Sequence, residues 1–440
     1  MLSLVIATLF AVQGPPRPAD VPTTIRMIDG GASETAAIVD INRDGRPDIV
    51  SGEYWYQAPA WTKHKFREVG FSGNYIDSFS LMAVDVNADG YPDLVDVSWF
   101  ARKVAWWKNP GRTTSTALWP EATVNQCCNV EFAVLADINN DGKMAEVVAQ
   151  ENATGQSWYE VKNGAWVKHV VSDRTYGHGI GTGDVNNDGR NDILTPRGWL
   201  EAPADIQATG NWTFHNGWEA ANTPVTVTAP RGGGPGAAAG AAGTAAPAVP
   251  PAAPANAPVE ELGFMHVLDV NGDGLNDVVT AAGHDYGVYW FQQGPNDTWT
   301  RRTIDDAWSQ GHASTLVDFN GDGKLDLVTG KRFWAHNGGD PGAREPNGLF
   351  WYEYRALAPA APRGAAATTP QGAPGGGARG GRGPAGSEWI KHVIDYGGRL
   401  GGGMQIAAQD LDGDGDIDLV SGGKGGLFVI ENLTRRAGAR

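Results

Sequence analysis

Seven short acidic loops recur along this 440-residue chain. Each sets an Asp, an Asp or Asn two residues on, an Asp four residues on and a Gly five residues on, with a further acid before two aliphatic residues. The oxygen donors are Asp40, Asn42, Asp44 and Asp48; Asp85, Asn87, Asp89 and Asp93; Asp137, Asn139, Asp141 and Glu146; Asp184, Asn186, Asp188 and Asp192; Asp269, Asn271, Asp273 and Asp277; Asp318, Asn320, Asp322 and Asp326; and Asp410, Asp412, Asp414 and Asp418. A hard cation such as Ca2+ takes roughly six to eight oxygens, and alternate side chains of a tight loop surround one ion while Gly permits the turn. An EF-hand needs Glu at position twelve, where these loops carry Ser51, Asp96, Val148, Thr195, Thr280, Thr329 and Ser421. The flanks are β-like, so the loops read as strand-loop-strand calcium clips. The third copy is irregular: Glu146 stands one residue later than the matching Asp elsewhere.

A second set of chemical groups emerges six residues before each loop. The residues there are Glu34, Phe79, Glu131, His178, Gly263, His312 and Met404. If equivalent strands converge on one axis, Glu34, Glu131, His178 and His312 form an axial ligand set suited to Zn2+ or another transition metal, with Gln405 and His266 as neutral donors nearby. Each group alone reads equally as a hydrogen-bonding member of a water-filled channel wall. Behind the fifth and sixth loops, GHDYGVYW and GKRFWAHNGGD supply His284 and His336 as candidate bases and Lys331 and Arg332 as candidate cations for an oxyanion. The two cations read equally as solvated loop charges.

Strands must position these groups. Each loop is followed by an apolar strand, an aromatic strand (EYWYQAP, VAWWKNPG, QSWYEV, GVYWFQQGP, GLFWYEY) and, in most repeats, a Trp-initiated edge strand. Four short strands per repeat describe a β-propeller blade. The expected fold is all-β, with seven four-stranded blades. The last repeat lacks an edge strand and the chain begins with a spare one, TTIRMID, so residues 23–28 are expected to close the final blade and remove the exposed edges. Trp55, Trp107, Trp158, Trp290 and Trp351 recur at one place per repeat and read as core. Trp99, Trp199 and Trp334, with Tyr286, fall elsewhere and read as ligand-stacking candidates. The edge-strand residues His64, His169 and His392 read as structural.

The D-x-[ND]-x-D-G-x-x-D-[IL]-V repeats resemble the FG-GAP/VCBS family of integrin-α-type propellers over nearly all of 23–435. GHGIGTGDVNNDGRNDILTPRGWLEAP and GKRFWAHNGGDPG resemble, more narrowly, the propeller domain of aldos-2-ulose dehydratases and their bacterial relatives. That resemblance implies carbon-oxygen lyase chemistry on a keto-sugar, although no segment corresponds to the cupin domains that accompany the fungal propeller.

Composition sets outer bounds. The formal charge is −16, yet 22 acids belong to the proposed clips, so seven Ca2+ would offset most of it. There is no basic stripe with interleaved aromatics, which disfavours nucleic acid. The opening MLSLVIATLFAVQG reads as a signal peptide or a disordered leader over 1–20, too short to span a bilayer, which implies a secreted or periplasmic protein. Residues 21–440 read as a single propeller. Two Ala/Pro/Gly-rich segments, at about 225–258 and 357–386, read as disordered insertions that account for the two long intervals between loops. The only cysteines, Cys127 and Cys128, read as two buried thiols in preference to a vicinal disulfide.

The expected function is therefore a secreted, calcium-binding propeller with a carbohydrate or keto-sugar ligand at its axial mouth and metal-assisted dehydration or β-elimination as its chemistry. The alternative is a non-catalytic carbohydrate- or protein-binding module.

Overall fold

A computed structural model describes residues 20–218 (apart from 32, 115, 153, 154 and 209), 226–228, 261–356 and 387–435. The proposed leader and most of both low-complexity insertions lie outside the described residues. Within the first insertion, Thr226–Thr228 is nevertheless a strand, paired in parallel with Ser387–Tyr396.

The fold is all-β, built from four-stranded antiparallel sheets. In the first, Ala37–Val39, Asp48–Ser51, Tyr54–Gln57 and Thr62–Lys65 pair in chain order. The same order recurs from Ser80–Val84, Val130–Ala136, His178–Gly183, Glu261–Leu268 and Ala313–Val317. In the last sheet, Ile406–Gln409, Asp418–Gly423 and Gly426–Asn432 take Thr23–Asp29 as the fourth strand, antiparallel to Gly426–Asn432. The first strands of successive sheets lie side by side, and Ile406–Gln409 returns against Ala37–Val39, so they form a closed cycle. His178–Gly183 and Glu261–Leu268 pair directly, in parallel, fusing two sheets into one of eight strands.

The acidic loop is itself a local fold determinant. Its first Asp accepts backbone N–H groups of its own turn, as Asp40 does from Asp44 and Gly45. The sixth-position Gly takes a left-handed φ, +87° at Gly45, where a side chain would be strained. The final acid opens the second strand and is fully buried: Asp48 accepts the N–H of Ile41 and of Ala58, tying the loop to the third strand. Glu146 does the same with Ile138 and lies opposite Ala136, as Asp48 lies opposite Val39. The extra residue of the third loop is absorbed within the turn, and the longer side chain reaches the same backbone group.

Between sheets the core is aromatic. Trp55, Trp158, Trp199 and Trp351 are buried, and each stacks on the histidine opposite it in the edge strand: His64, His169, His215 and His392, at ring distances of 4.4, 3.9, 4.1 and 3.7 Å. Trp290 has the Arg302 guanidinium in that place. Trp199 is thus a core residue and not a ligand platform: Thr213–Asn216 pairs with Gly198–Glu201 so that His215 faces it. Cys127 and Cys128, with Cα atoms 3.7 Å apart, are joined by a disulfide, which corrects the expectation of two thiols. Among the described residues, no helix is long and apolar enough to cross a membrane.

Candidate axial site

The segments that enter the first strands, together with the turns that leave the second strands, deliver polar side chains to the centre of the cycle. Arg332, fully buried just after Asp326–Gly330, is the hub. Its Nε and one Nη donate to the two carboxylate oxygens of Glu34, both at 3.0 Å, and its other Nη donates to Glu131 at 2.7 Å. Lys424 donates to Glu34 at 2.8 Å. Tyr75 and Phe79 cover the cations: the Arg332 guanidinium lies 5.4 and 5.5 Å from their ring centres, and the Lys424 ammonium 4.2 Å from that of Tyr75. Burial by itself would raise the Glu34 carboxyl, but Arg332 and Lys424 outweigh it and hold the group below the usual carboxylate range. Glu131, also buried, is held low by His178 and Arg332.

Imidazoles follow. Glu131 bonds His178 Nε2 at 2.9 Å. The His178 ring is 4.3 Å from that of His284 and 5.4 Å from that of His312, and His284 is 4.9 Å from His312. His284 donates from Nδ1 to Glu261 at 2.6 Å. His312 is fully buried, and burial, followed by the nearby Arg332 charge, keeps its ring neutral. Nearer the surface, His336 packs 4.1 Å from His284 and donates from Nδ1 to Asp340 at 3.0 Å.

The four axial residues read from sequence therefore come together, along with His284 and His336. Their roles differ from the expectation. Glu34 and Glu131 are committed to Arg332, Lys424 and His178, so they are not available as direct metal ligands; a buried guanidinium demands paired carboxylates. Arg332 in turn is neither a solvated charge nor a free oxyanion donor. Lys331 is also buried, its Nζ bound to Ser309 and to the Gly342 carbonyl, and burial lowers it to about 8. Gln405 spends its amide on the backbone of Leu81, and His266 bonds Ser314. Gly263 completes the axial set through its lack of a side chain, since a Cβ there would lie 2.3 Å from the Gly311 carbonyl oxygen.

Sequence reading missed Glu261, Asp340, Lys424 and Tyr75. Lys424 follows the seventh loop in the interval at which Lys331 and Arg332 follow the sixth, a signal that was present in the repeat. Tyr75 lies on the Phe71–Ile76 hairpin, outside the repeat pattern.

Of the remaining ligand candidates, Tyr286 donates to Glu345 at 2.6 Å, Trp99 is half-buried against the main apolar cluster, and Trp334 is half-buried beside exposed Phe333. Trp334, His336 and Asn337 have φ of 55°, 45° and 55°. Three non-glycine residues in the left-handed region within one turn store strain of about 1–3 kcal/mol each, a feature that collects at functional loops.

The acidic loops present their first three donors at the surface and the last within the sheet. Oxygens of Asp410, Asp412 and Asp418 lie within 4.8 Å of one another. In each loop the buried acid is raised first by burial; in the first, Asp44 and Asp40 raise it further, to about 6 at Asp48. Convergent oxygens with mutual repulsion fit a divalent cation.

Residues 269–329 match the FG-GAP-like repeat. The match spans the fifth acidic loop, the three strands that follow it in its sheet, and the sixth loop. No curated protein sequence matches the chain. Among solved structures, the chain is similar to an Agrocybe aegerita lectin described as recognising non-reducing terminal N-acetylglucosamine (14% identity, 76% of this chain and 77% of that one, TM-score 0.40). It is also similar to the extracellular domain of the hybrid two-component system BT3049 from B. thetaiotaomicron (9% identity, 95% and 42%, TM-score 0.46). A third similarity is to BBS1N from its complex with ARL6DN (9% identity, 94% and 97%, TM-score 0.49). The chain thus spans less than half of the second of these.

Proposed function

We propose that the chain is a secreted or periplasmic, calcium-stabilised propeller of seven blades that binds a carbohydrate-type ligand at its axial mouth and removes water from a keto-sugar there. The supporting observation is the His336–Asp340 pair: a half-exposed imidazole fixed through Nδ1 by a carboxylate, on a strained loop that also carries the aromatic rings of Phe333 and Trp334. Asp340 sets the tautomer, which leaves Nε2 as the base. In β-elimination, His336 takes the proton next to the carbonyl, the C–H pair forms the double bond, the β-C–O bond breaks, and the same proton returns to the departing hydroxide to give water. The aromatic surfaces hold the sugar ring while its hydroxyls face the polar groups. Calcium supplies no step in this chemistry; bound in the clips, it pins the second strand of each blade to its loop.

The second reading, a non-catalytic binding module, is favoured by one observation: the strongest cation of the centre, Arg332, is spent on Glu34 and Glu131. A panel of keto-sugars separates the two, with enone absorbance as the readout. The lyase reading expects enone from at least one sugar and about a 10²–10⁴-fold loss of turnover in His336→Asn with binding kept. Binding without enone across the panel leaves the module.

A further inference from the structure

The fourth acidic loop borders a cavity that the repeat pattern does not require. The third sheet turns from Gly155–Lys162 to Ala165–Ser172 through Asn163 and Gly164 alone, whereas the fourth passes from Gly198–Glu201 to Thr213–Asn216 by the longer segment 202–212. That segment is tied to the third sheet. Asn211 donates to Asp173 at 3.1 Å, the Trp212 N–H to the Val171 carbonyl at 2.8 Å, and Lys162 to Gln207 at 2.6 Å. Between segment and acidic loop lies a cavity of about 210 Å³, lined in part by Arg190, Glu201, Ala204, Ala208, Asn211 and Trp212. Across its wall Arg190 Nη2 stands 4.0 Å from Glu201 Oε1. Each group is held by other partners: Arg190 donates from Nε to the Ala202 carbonyl at 2.8 Å and from Nη2 to Asp188. Glu201 accepts the His215 Nε2–H on its other oxygen at 2.7 Å, and that imidazole is stacked on buried Trp199. The gap exceeds a hydrogen bond, so the two charges attract without bonding.

We infer that this cavity is a carbohydrate site separate from the axial mouth, built for one neutral pyranose ring. A sugar hydroxyl accepts from a guanidinium and donates to a carboxylate at the same time, so it bridges the gap between Arg190 and Glu201 as no simple ion can. An anion would meet Glu201 and a cation would meet Arg190, which selects against both. The indole of Trp212, buried in the apolar cluster shared with the third sheet, gives the C–H face of the ring a surface to cover. Ligand pockets for drug-sized molecules hold roughly 300–1,000 Å³, so the volume here suits a single ring. Packing aims the acid: Trp199 fixes His215, and His215 fixes Glu201 with one oxygen left toward Arg190. In the third sheet the corresponding Glu160 is taken up by His169 and Lys162 instead.

The site goes beyond the reaction proposed at the mouth and shares no residue with it. The full chain, in excess Ca2+, is titrated by calorimetry with the methyl glycosides of glucose, galactose, mannose and N-acetylglucosamine, and with glucuronate and glucosamine as charged counterparts. At least one neutral sugar should bind, and more tightly than either charged one. Ala208→Trp, at an exposed position on the cavity wall, should remove one equivalent of that binding by filling the space. Glu201→Gln still accepts from His215 but loses its charge, and should weaken the same binding about 10–100-fold, the worth of a hydrogen bond to a charged group. Variants are compared with the parent at matching circular dichroism. No binding by any neutral sugar, or an isotherm unchanged in both variants, overturns the inference, and so does glucuronate binding more tightly than every neutral sugar. Enone formation at the axial mouth is independent of all these outcomes.

Discussion

Arg332 holds Glu34 in a two-pronged pair, 3.0 Å at each prong, across 298 residues of sequence. One residue of the sixth sheet thereby clamps the segment that enters the first, and through Glu131 it clamps the entry to the third as well. The charge centre of the molecule is thus also a tie between its distant parts.

Removing that tie strips a charge partner from two buried carboxylates, leaving Glu34 to Lys424 and Glu131 to His178. Arg332→Met is expected to cost about 3–5 kcal/mol of unfolding free energy. Adding Glu34→Gln and Glu131→Gln to the same variant should return part of it. Urea denaturation of the three proteins is the check, and equal midpoints for the parent and Arg332→Met would refute the clamp.

On the proposed reading of the acidic loops, Ca2+ held only by the folded chain stabilises it by linkage. At a free concentration of 100 times Kd each ion adds about 2.7 kcal/mol. Chelation with EGTA should therefore lower the melting temperature by many degrees, and Asp48→Ala, which also strips acceptors from Ile41 and Ala58, should blunt the response to added Ca2+. A melting curve indifferent to EGTA would contradict calcium in the clips.

Two of the three tryptophans first read alike, Trp199 and Trp334, should part company. Trp199→Ala opens the core beside His215 and is expected to cost about 3–5 kcal/mol while leaving ligand affinity alone. Trp334→Ala should do the opposite, with a small stability change and a weakened sugar contact. Thermal melts paired with binding isotherms decide; a stable Trp199→Ala would sink the core assignment.

His266 gives a pH signature. Burial holds its imidazole down to about 4, below the ordinary value near 6.5. The unfolded chain therefore takes up this proton first on acidification. The stability contributed by the neutral ring is complete above about 6.5 and is lost as pH falls from there toward 4, on the order of 3 kcal/mol in all. His266→Gln should flatten the acid limb of the stability curve by that amount. An acid limb of the same slope in the variant would show that His266 is not its source.

Much of this was written into the residues. Apolar alternation, turn glycines and the recurring loop specify strands locally, because each element satisfies its own backbone within a few tens of residues. Closure of the last sheet by Thr23–Asp29 was legible on other grounds, from the count of strands: one repeat lacked an edge and the start of the chain had one spare. The convergence of Glu34, Glu131, His178 and His312 followed from their common offset to the loops.

What sequence spacing could not assign was who bonds whom at the centre. Arg332 and Lys331 are neighbours on the chain, and only packing separates a hub between two glutamates from an ammonium on Ser309. Trp199 looked out of register until the pairing of its strand put His215 against it. The local pattern by itself determined the strands, the loops and the positions that face the axis, since those depend on short-range geometry. Only the tertiary structure decided which charges neutralise one another, because burial sets the cost of an unpaired group and burial exists only once the cycle of sheets has closed.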